Sequence, residues 1–192
     1  MATKIITGKC RAAYAKIMSP VRNDLNGKEE YSVMLLIPKS DASTISEIKS
    51  ACKEAIASKW PAAVPKGLRN PLKDGDTETR SDGTAMGPEF VDHYFMNVKS
   101  DASRHTPEIV DSKGRKLISS DDVVSGDYIR VSINAYAYDA SGNRGVAFGL
   151  NNVQLVEKGQ PLGAGKQTAA QEFGLTSTPA AAAESDSDSD WA

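Results

Sequence analysis

Cysteine, histidine and long apolar runs are scarce in this chain of 192 residues, and each shortage removes a class of protein. The two cysteines, Cys10 and Cys52, form no CxxC pair and no disulfide framework, which fits a reducing, cytoplasmic setting. The two histidines, His93 and His105, stand at no metal-ligand spacing to each other or to a cysteine. No stretch approaches the roughly 18 apolar residues of a membrane span. The opening Met1-Ala-Thr-Lys-Ile-Ile-Thr-Gly lacks an apolar signal core, so nothing there marks export. What remains is 40% hydrophobic and 25% charged, enough for one compact core with chain left over.

Basic residues stop at Lys166. All 23 lie before or at that position together with 20 of the 25 acidic residues, a net of +3, while Glu172, Glu184, Asp186, Asp188 and Asp190 give the remainder -5. A mildly basic body with an acidic tail points to an anionic partner and an interacting tail, or more simply to a solvated tail that aids solubility. Composition changes at Gly159. Glycines and Pro161 open a flexible stretch, then come Pro179, four alanines and alternating Ser and Asp. Such a segment cannot bury enough apolar area to offset the entropy of ordering. The division expected is a folded domain over 1–158 and a flexible linker with acidic tail over 159–192.

Strand patterns dominate the body. Residues 4–17 read as a long strand, 31–37 as a second, 93–99 as a third and 108–111 as a short fourth. Residues 127–139 and 144–155 form the strongest hairpin, joined by the Gly-containing turn Asp139-Ala-Ser-Gly-Asn143. One helix is expected over 40–59. Its apolar stripe is Ile45, Ile48, Cys52, Ala55 and Ile56, Asp41 or Ser43 can cap it, and Pro61 ends it. Residues 60–90 form a proline-rich loop, and a loop that long inside a compact domain is usually functional. Many strands, one helix and long loops suit a small barrel or sandwich. A helix between strands of a five-stranded barrel is the OB-fold pattern. The fold class expected is therefore mainly β, an OB-fold-like five-stranded barrel with one main helix and a disordered acidic C-terminal tail.

Alternation gives the hairpin strand two unlike faces. Ile129, Val131, Ile133, Ala135 and Ala137 make a core face. Tyr128, Arg130, Ser132, Asn134, Tyr136 and Tyr138 make the other. Rings stack on nucleobases, guanidinium groups pair with phosphates, and amides bond base edges. Tyrosine is also a good strand former, and cross-strand aromatic pairs stabilise sheets without a ligand. The third strand repeats the mixture in His93, Phe95, Asn97 and Lys99, opposite Tyr94, Met96 and Val98. In the first, Lys9 and Arg11 share a face, with Cys10, Ala12 and Tyr14 on the other. Arg144 and Phe148 share a face of the last long strand. If these faces adjoin, they make a basic, aromatic-lined groove that follows a sugar-phosphate backbone with little sequence preference.

Rival chemistry is thinner. Asp74, Asp76 and Glu78 resemble the start of a calcium loop, but Thr79 stands where glycine is required. The trio could still hold a divalent ion, as in a metal-dependent nuclease. A protein-interaction module that binds no nucleic acid is the other alternative. Gly159 to Lys166 imitates a phosphate loop with spacing off by one and Gln167 in place of Ser or Thr, and reads as linker.

Several segments in order resemble the phage single-stranded DNA-binding proteins built on an OB-fold with an acidic C-terminal tail. They are Ile6-Thr-Gly-Lys-Cys-Arg11, Tyr31-Ser-Val-Met-Leu-Leu-Ile-Pro-Lys-Ser-Asp41, Pro71-Leu-Lys-Asp-Gly-Asp76, His93-Tyr-Phe-Met-Asn-Val-Lys-Ser100, and Gly126-Asp-Tyr-Ile-Arg-Val-Ser-Ile-Asn134 running on through Gly145 to Gln154. The resemblance implies coating of single-stranded DNA during phage replication or recombination, in the host cytoplasm, with no catalysis and no cofactor. It is compatible with a homodimer. The tail residues Asp186, Asp188, Asp190 and Trp191 are expected to modulate binding and to dock on replication proteins. Phosphate candidates are Lys9, Arg11, Lys99, Arg130 and Arg144; stacking candidates are Phe95, Tyr128, Tyr136, Tyr138 and Phe148; Asn97 and Asn134 are candidates for bases or phosphates. Lys73, Arg104 and Arg115 stand on loops that could fold over the strand.

Overall fold

The computed structural model describes residues 3–24, 26–140 and 142–162. Its strands are β1 (Lys4–Ile6), β2 (Cys10–Arg22), β3 (Glu29–Pro38), β4 (Lys73–Asp74), β5 (His93–Asp101), β6 (Glu108–Val110), β7 (Tyr128–Ala140) and β8 (Asn143–Glu157), with one α-helix, α1 (Ala42–Lys59). β2 pairs with β3, β3 with β5, β5 in parallel with β8, β8 with β7, and β7 returns to β2. That circuit closes a five-stranded, OB-fold-like barrel, and closure removes the exposed sheet edges an open sheet would carry. β1 extends the sheet beyond β7, β4 pairs with β5, and β6 pairs with β8.

Alternation decides what fills the barrel. Val33, Leu35 and Ile37 of β3, Met96 and Val98 of β5, Ile129, Val131 and Ile133 of β7, and Val146, Phe148 and Leu150 of β8 all enter one core. Helix α1 lays Ile45, Ile48 and Ala51 on the same core. Full burial of a side chain such as Ile48 contributes about 1.5–3 kcal/mol relative to exposure. The helix begins where the Asp41 carboxylate accepts the Thr44 N–H at 3.1 Å, satisfying an otherwise unpaired donor. It stops at Trp60, because the residue before Pro61 is held out of helical geometry.

The first strand differs from the expected unbroken run. Thr7 is fully buried, its hydroxyl accepting from the Val131 N–H at 3.1 Å and its own N–H reaching the Val131 carbonyl at 3.0 Å. The chain turns there and restarts at Cys10. A second irregularity follows at Tyr14, whose φ of 47° marks a bulge in the β2–β3 register. A bulge inserts an extra residue and resets alternation. Tyr14 is therefore exposed instead of sharing the interior with Cys10 and Ala12.

A smaller apolar cluster lies on the outer face of the barrel. It joins Ala13, Leu36 and Phe95 to Phe90 from a 3-10 turn at Pro88–Phe90, with Leu162 packed on it. Residues 158–162 are bonded to the body just past the expected domain boundary. The buried Asp127 carboxylate accepts from Lys158 Nζ at 3.0 Å and from the Gly159 N–H at 3.1 Å, and the Leu162 N–H reaches the Ser125 carbonyl at 3.0 Å. The tail candidates Asp186, Asp188, Asp190 and Trp191 lie outside the described residues. Among the described residues no helix is long and apolar enough to cross a membrane.

Candidate nucleic-acid interface

The β7–β8 pairing sets the outward tyrosines against small residues. Tyr138 stands opposite Gly145, Tyr136 opposite Ala147, and Asn134 opposite Gly149. Bulky neighbours would have covered the rings, whereas these leave a trough beside them. β8 carries the trough to β5, where Gly149 pairs with Lys99, and β3 continues it, with Ser32 opposite Lys99 and Met34 opposite Asn97. Lys99 and Asn134 thus face outward two strands apart, about 10 Å at ordinary strand spacing.

Two clefts occupy this trough. The larger, about 900 Å³, has Asn97, Lys99, Tyr138 and Ala147 along the barrel side and Arg69 and Lys73 from the long loop opposite. The second, about 520 Å³, is lined by Lys28, Lys99, Arg104, Asn134, Tyr136 and Gly149 and by the carboxylates Glu30 and Asp101. Lys99 belongs to both, so they form one continuous groove.

The loop wall is stitched to the barrel. The Arg69 N–H donates to the Arg144 carbonyl at 2.9 Å, and the Val146 N–H donates to the Arg69 carbonyl at 3.3 Å. Position 145 must be glycine for this approach: a Cβ there would stand 2.7 Å from the Arg69 carbonyl oxygen and 3.0 Å from the Tyr138 hydroxyl.

Lys99 is held in place by Glu30, its ammonium 3.1 and 3.2 Å from the two carboxylate oxygens. Burial pushes the Glu30 carboxyl up, but hydrogen bonds from Asn23 at 2.9 Å, from Asn26 at 3.0 Å and from Lys99 outweigh it and hold it below the usual carboxylate range. At the same end, the Ser103 hydroxyl and the Lys28 ammonium hold Asp101 down at about 2.

The remaining expected residues go elsewhere. Lys9, Arg11 and Tyr128 gather at the far end of β7. The Lys9 ammonium lies 5.0 Å and the Arg11 guanidinium 5.9 Å from the centre of the Tyr128 ring. Arg11 also donates to the carbonyls of Gly126 at 3.2 Å and Gln160 at 2.8 Å, and Lys9 reaches Glu157 at 3.5 Å. Arg130 donates to the Thr7 carbonyl at 3.1 Å. Arg144 pairs with Asp139 at 2.9 Å beside the hairpin turn. Arg115 is bound to Asp111 at 2.6 Å and lines neither cleft.

Two aromatic candidates are corrected. Phe148 is 1% exposed and fills the barrel interior with Val146 and Leu150, so it offers no open ring face. Phe95 does project from the outer face, but the Phe90 ring covers it edge-on at 5.1 Å, leaving it 7% exposed at the base of the larger cleft. Arg69 and Lys28 were not anticipated. The cue for Arg69 was its place in a long loop between Lys66 and Lys73.

The acidic trio is not assembled for a cation. Lys39 Nζ sits between Asp74 at 2.7 Å and Asp76 at 2.6 Å, and its hydrogen bonds hold both carboxyls below their usual range. Glu78 pairs separately with Lys73 at 3.2 Å. Among the described residues no group of three or more His, Cys, Asp or Glu could hold a metal ion.

Comparison with solved structures places the fold. The single-stranded DNA-binding protein from bacteriophage Enc34 in complex with ssDNA matches with a TM-score of 0.69 and 18% identity, covering 83% of this chain and 89% of that one. A second structure of the Enc34 protein gives 0.68 at 17% identity, covering 88% and 89%. The gp2.5 single-stranded DNA-binding protein encoded by bacteriophage T7 gives 0.60 at 20% identity, covering 96% and 100%. No curated protein sequence matches the chain. The family model described as Enterobacter phage Enc34, ssDNA-binding protein, matches residues 3–188.

Proposed function

The chain belongs to the family of the Enterobacter phage Enc34 ssDNA-binding protein, and from that premise we propose that it coats single-stranded DNA, with little sequence preference, during phage replication and recombination. The observation that carries this reading is the meeting at Lys99 of two clefts whose linings bring Tyr136 and Tyr138 together with Lys28, Arg69, Lys73 and Arg104. Tyr136 and Tyr138 stack on bases, which every nucleobase permits because each has a π-face. Lys99, Arg69, Lys73, Arg104 and Lys28 take phosphates, releasing condensed counterions. Asn97 and Asn134 bond sugar, phosphate or base edges. Phe95 contributes at most an edge.

The groups around Tyr128 have a different task in this reading. Lys9 and Arg11 fix that ring and the 158–160 segment, so the chain leaves the barrel at a defined point. The acidic tail, with Asp186, Asp188, Asp190 and Trp191, competes with DNA for the cations and docks on replication proteins, and the protein acts as a binder and not as a catalyst. The charge asymmetry of the sequence is what supports the tail's role.

A titration of fluorescent oligothymidylate, with and without duplex competitor, tests the proposal. Preferential single-strand binding is expected, with affinity falling at a log–log salt slope of about -0.7 per phosphate neutralised. Salt-insensitive affinity, or none, contradicts it. A strand degraded with magnesium or manganese would favour the nuclease.

A further inference from the structure

The lysines of helix α1 have no role in the groove as described so far. A third cleft, about 600 Å³, lies over this helix. Its lining includes Ser46, Lys49, Ser50, Lys53, Lys39 and Tyr94, and no carboxylate. The first four fall at i, i+3, i+4 and i+7, which places them on one helical face. Glu54 borders this strip, accepting the Ser50 hydroxyl at 3.4 Å, and lines a separate cleft with Thr3. The helix thus presents a strip of ammonium and hydroxyl groups, a donor set suited to phosphate oxygens. Among the described residues neither Lys49 nor Lys53 has an ion-pair partner.

This strip is continuous with the groove. Lys49 and Tyr94 line both the third cleft and the 900 Å³ cleft. Tyr94 sits at the join with two ammonium groups over its ring, Lys39 at 5.2 Å and Lys49 at 5.7 Å. The two cations are not equivalent. Lys39 is committed to Asp74 and Asp76, so it braces the loop wall, while Lys49 and Lys53 keep their charge for a ligand.

We propose that a bound single strand leaves the groove across Tyr94 and continues along helix α1, with Lys49 and Lys53 neutralising its phosphates and the Ser46 hydroxyl donating alongside. This extension rests on the groove being the DNA interface. It makes the length of strand protected by one molecule depend on a helix outside the barrel strands.

The full chain carrying K53A tests it, because Lys53 lines the third cleft and not the 900 Å³ one. Lys53 is exposed and alanine is a strong helix former, so the fold is retained, which far-ultraviolet dichroism verifies. Binding is measured with oligothymidylates of about 6 and about 16 nucleotides, within the range of site sizes OB folds cover. The expected result is unchanged affinity for the short strand, a several-fold loss for the long one, and a long-strand salt slope shallower by about 0.7, the value for one lost phosphate contact. Equal loss at both lengths places Lys53 within the groove and overturns the extension. No loss at either length, with wild type still binding, overturns it and leaves the groove intact. Tighter long-strand binding by the variant means the chain's own acidic segment occupies the strip, which also overturns it. A wild type that binds neither strand overturns the groove together with its extension.

Discussion

Tyr128 and Tyr136 lie eight residues apart on the same outward face of β7, and their surroundings are opposite. Tyr128 is enclosed by Lys9, Arg11 and the returning 158–160 segment. Tyr136 is 39% exposed, stands opposite Ala147 and borders an open cleft. The same residue type on the same face braces the protein at one end and lines a groove at the other. Alternation tells which side of a sheet a ring occupies; what covers that side is decided by chain arriving from elsewhere.

That contrast can be broken by substitution. The largest expected effect is on DNA affinity at the open end. Y136A and Y138A together should weaken oligothymidylate binding by about 2–6 kcal/mol, at roughly 1–3 kcal/mol per stacked base, read by fluorescence titration. Y128A should change the same affinity far less. A comparable loss from Y128A would erase the distinction between the two ends. The next effect is on stability at the closed end. D127A strands the donors of Val124, Lys158 and Gly159, and should lower denaturant stability by about 2–3 kcal/mol, with affinity corrected for folded fraction unchanged.

Acid sharpens the comparison further. Glu30 and Asp101, both at the open end, have folded-state pKa values below their unfolded ones. Their contribution is therefore complete above the ordinary carboxylate range and disappears as pH falls through the depressed values, towards about 2 for Asp101. A thermal midpoint that drops in that window, with a shallower drop in E30Q, is expected from calorimetry. The smallest effect is K9A, which removes an exposed cation from the Tyr128 face and should cost about 0.5–1 kcal/mol of stability in a denaturant titration.

Much of the fold is legible in the sequence. The hairpin, the helix stripe and the apolar face of β7 follow from periodicity alone, because each element buries one side. The breaks were less visible. Nothing local marks Thr7 as a buried hydroxyl that turns the chain, or Tyr14 as a bulge, since both depend on partner strands. For the site, Tyr136, Tyr138, Asn97, Asn134 and Lys99 were found together, because β7, β8 and β5 are neighbours. Phe148 was misplaced for a specific reason. It shares alternation with Arg144, but Arg144 stands beside the hairpin turn, where the strands project past the barrel, whereas four residues on the same face is interior. Val146 and Leu150 on either side of Phe148 carried that information. Phe95 was assigned to the outer face correctly, yet its cover comes from Phe90 across a loop whose return cannot be read locally. Arg69 was missed for the same reason.

The central claim is that the strand passes the open end of β7 and not the closed end. Photocrosslinking an oligothymidylate carrying a photoreactive halogenated uracil, followed by peptide mapping of the adducts, tests this most directly. Adducts at Tyr136 and Tyr138 are the predicted result. Adducts concentrated at Tyr128 or Tyr14, with none at Tyr136 or Tyr138, would contradict it.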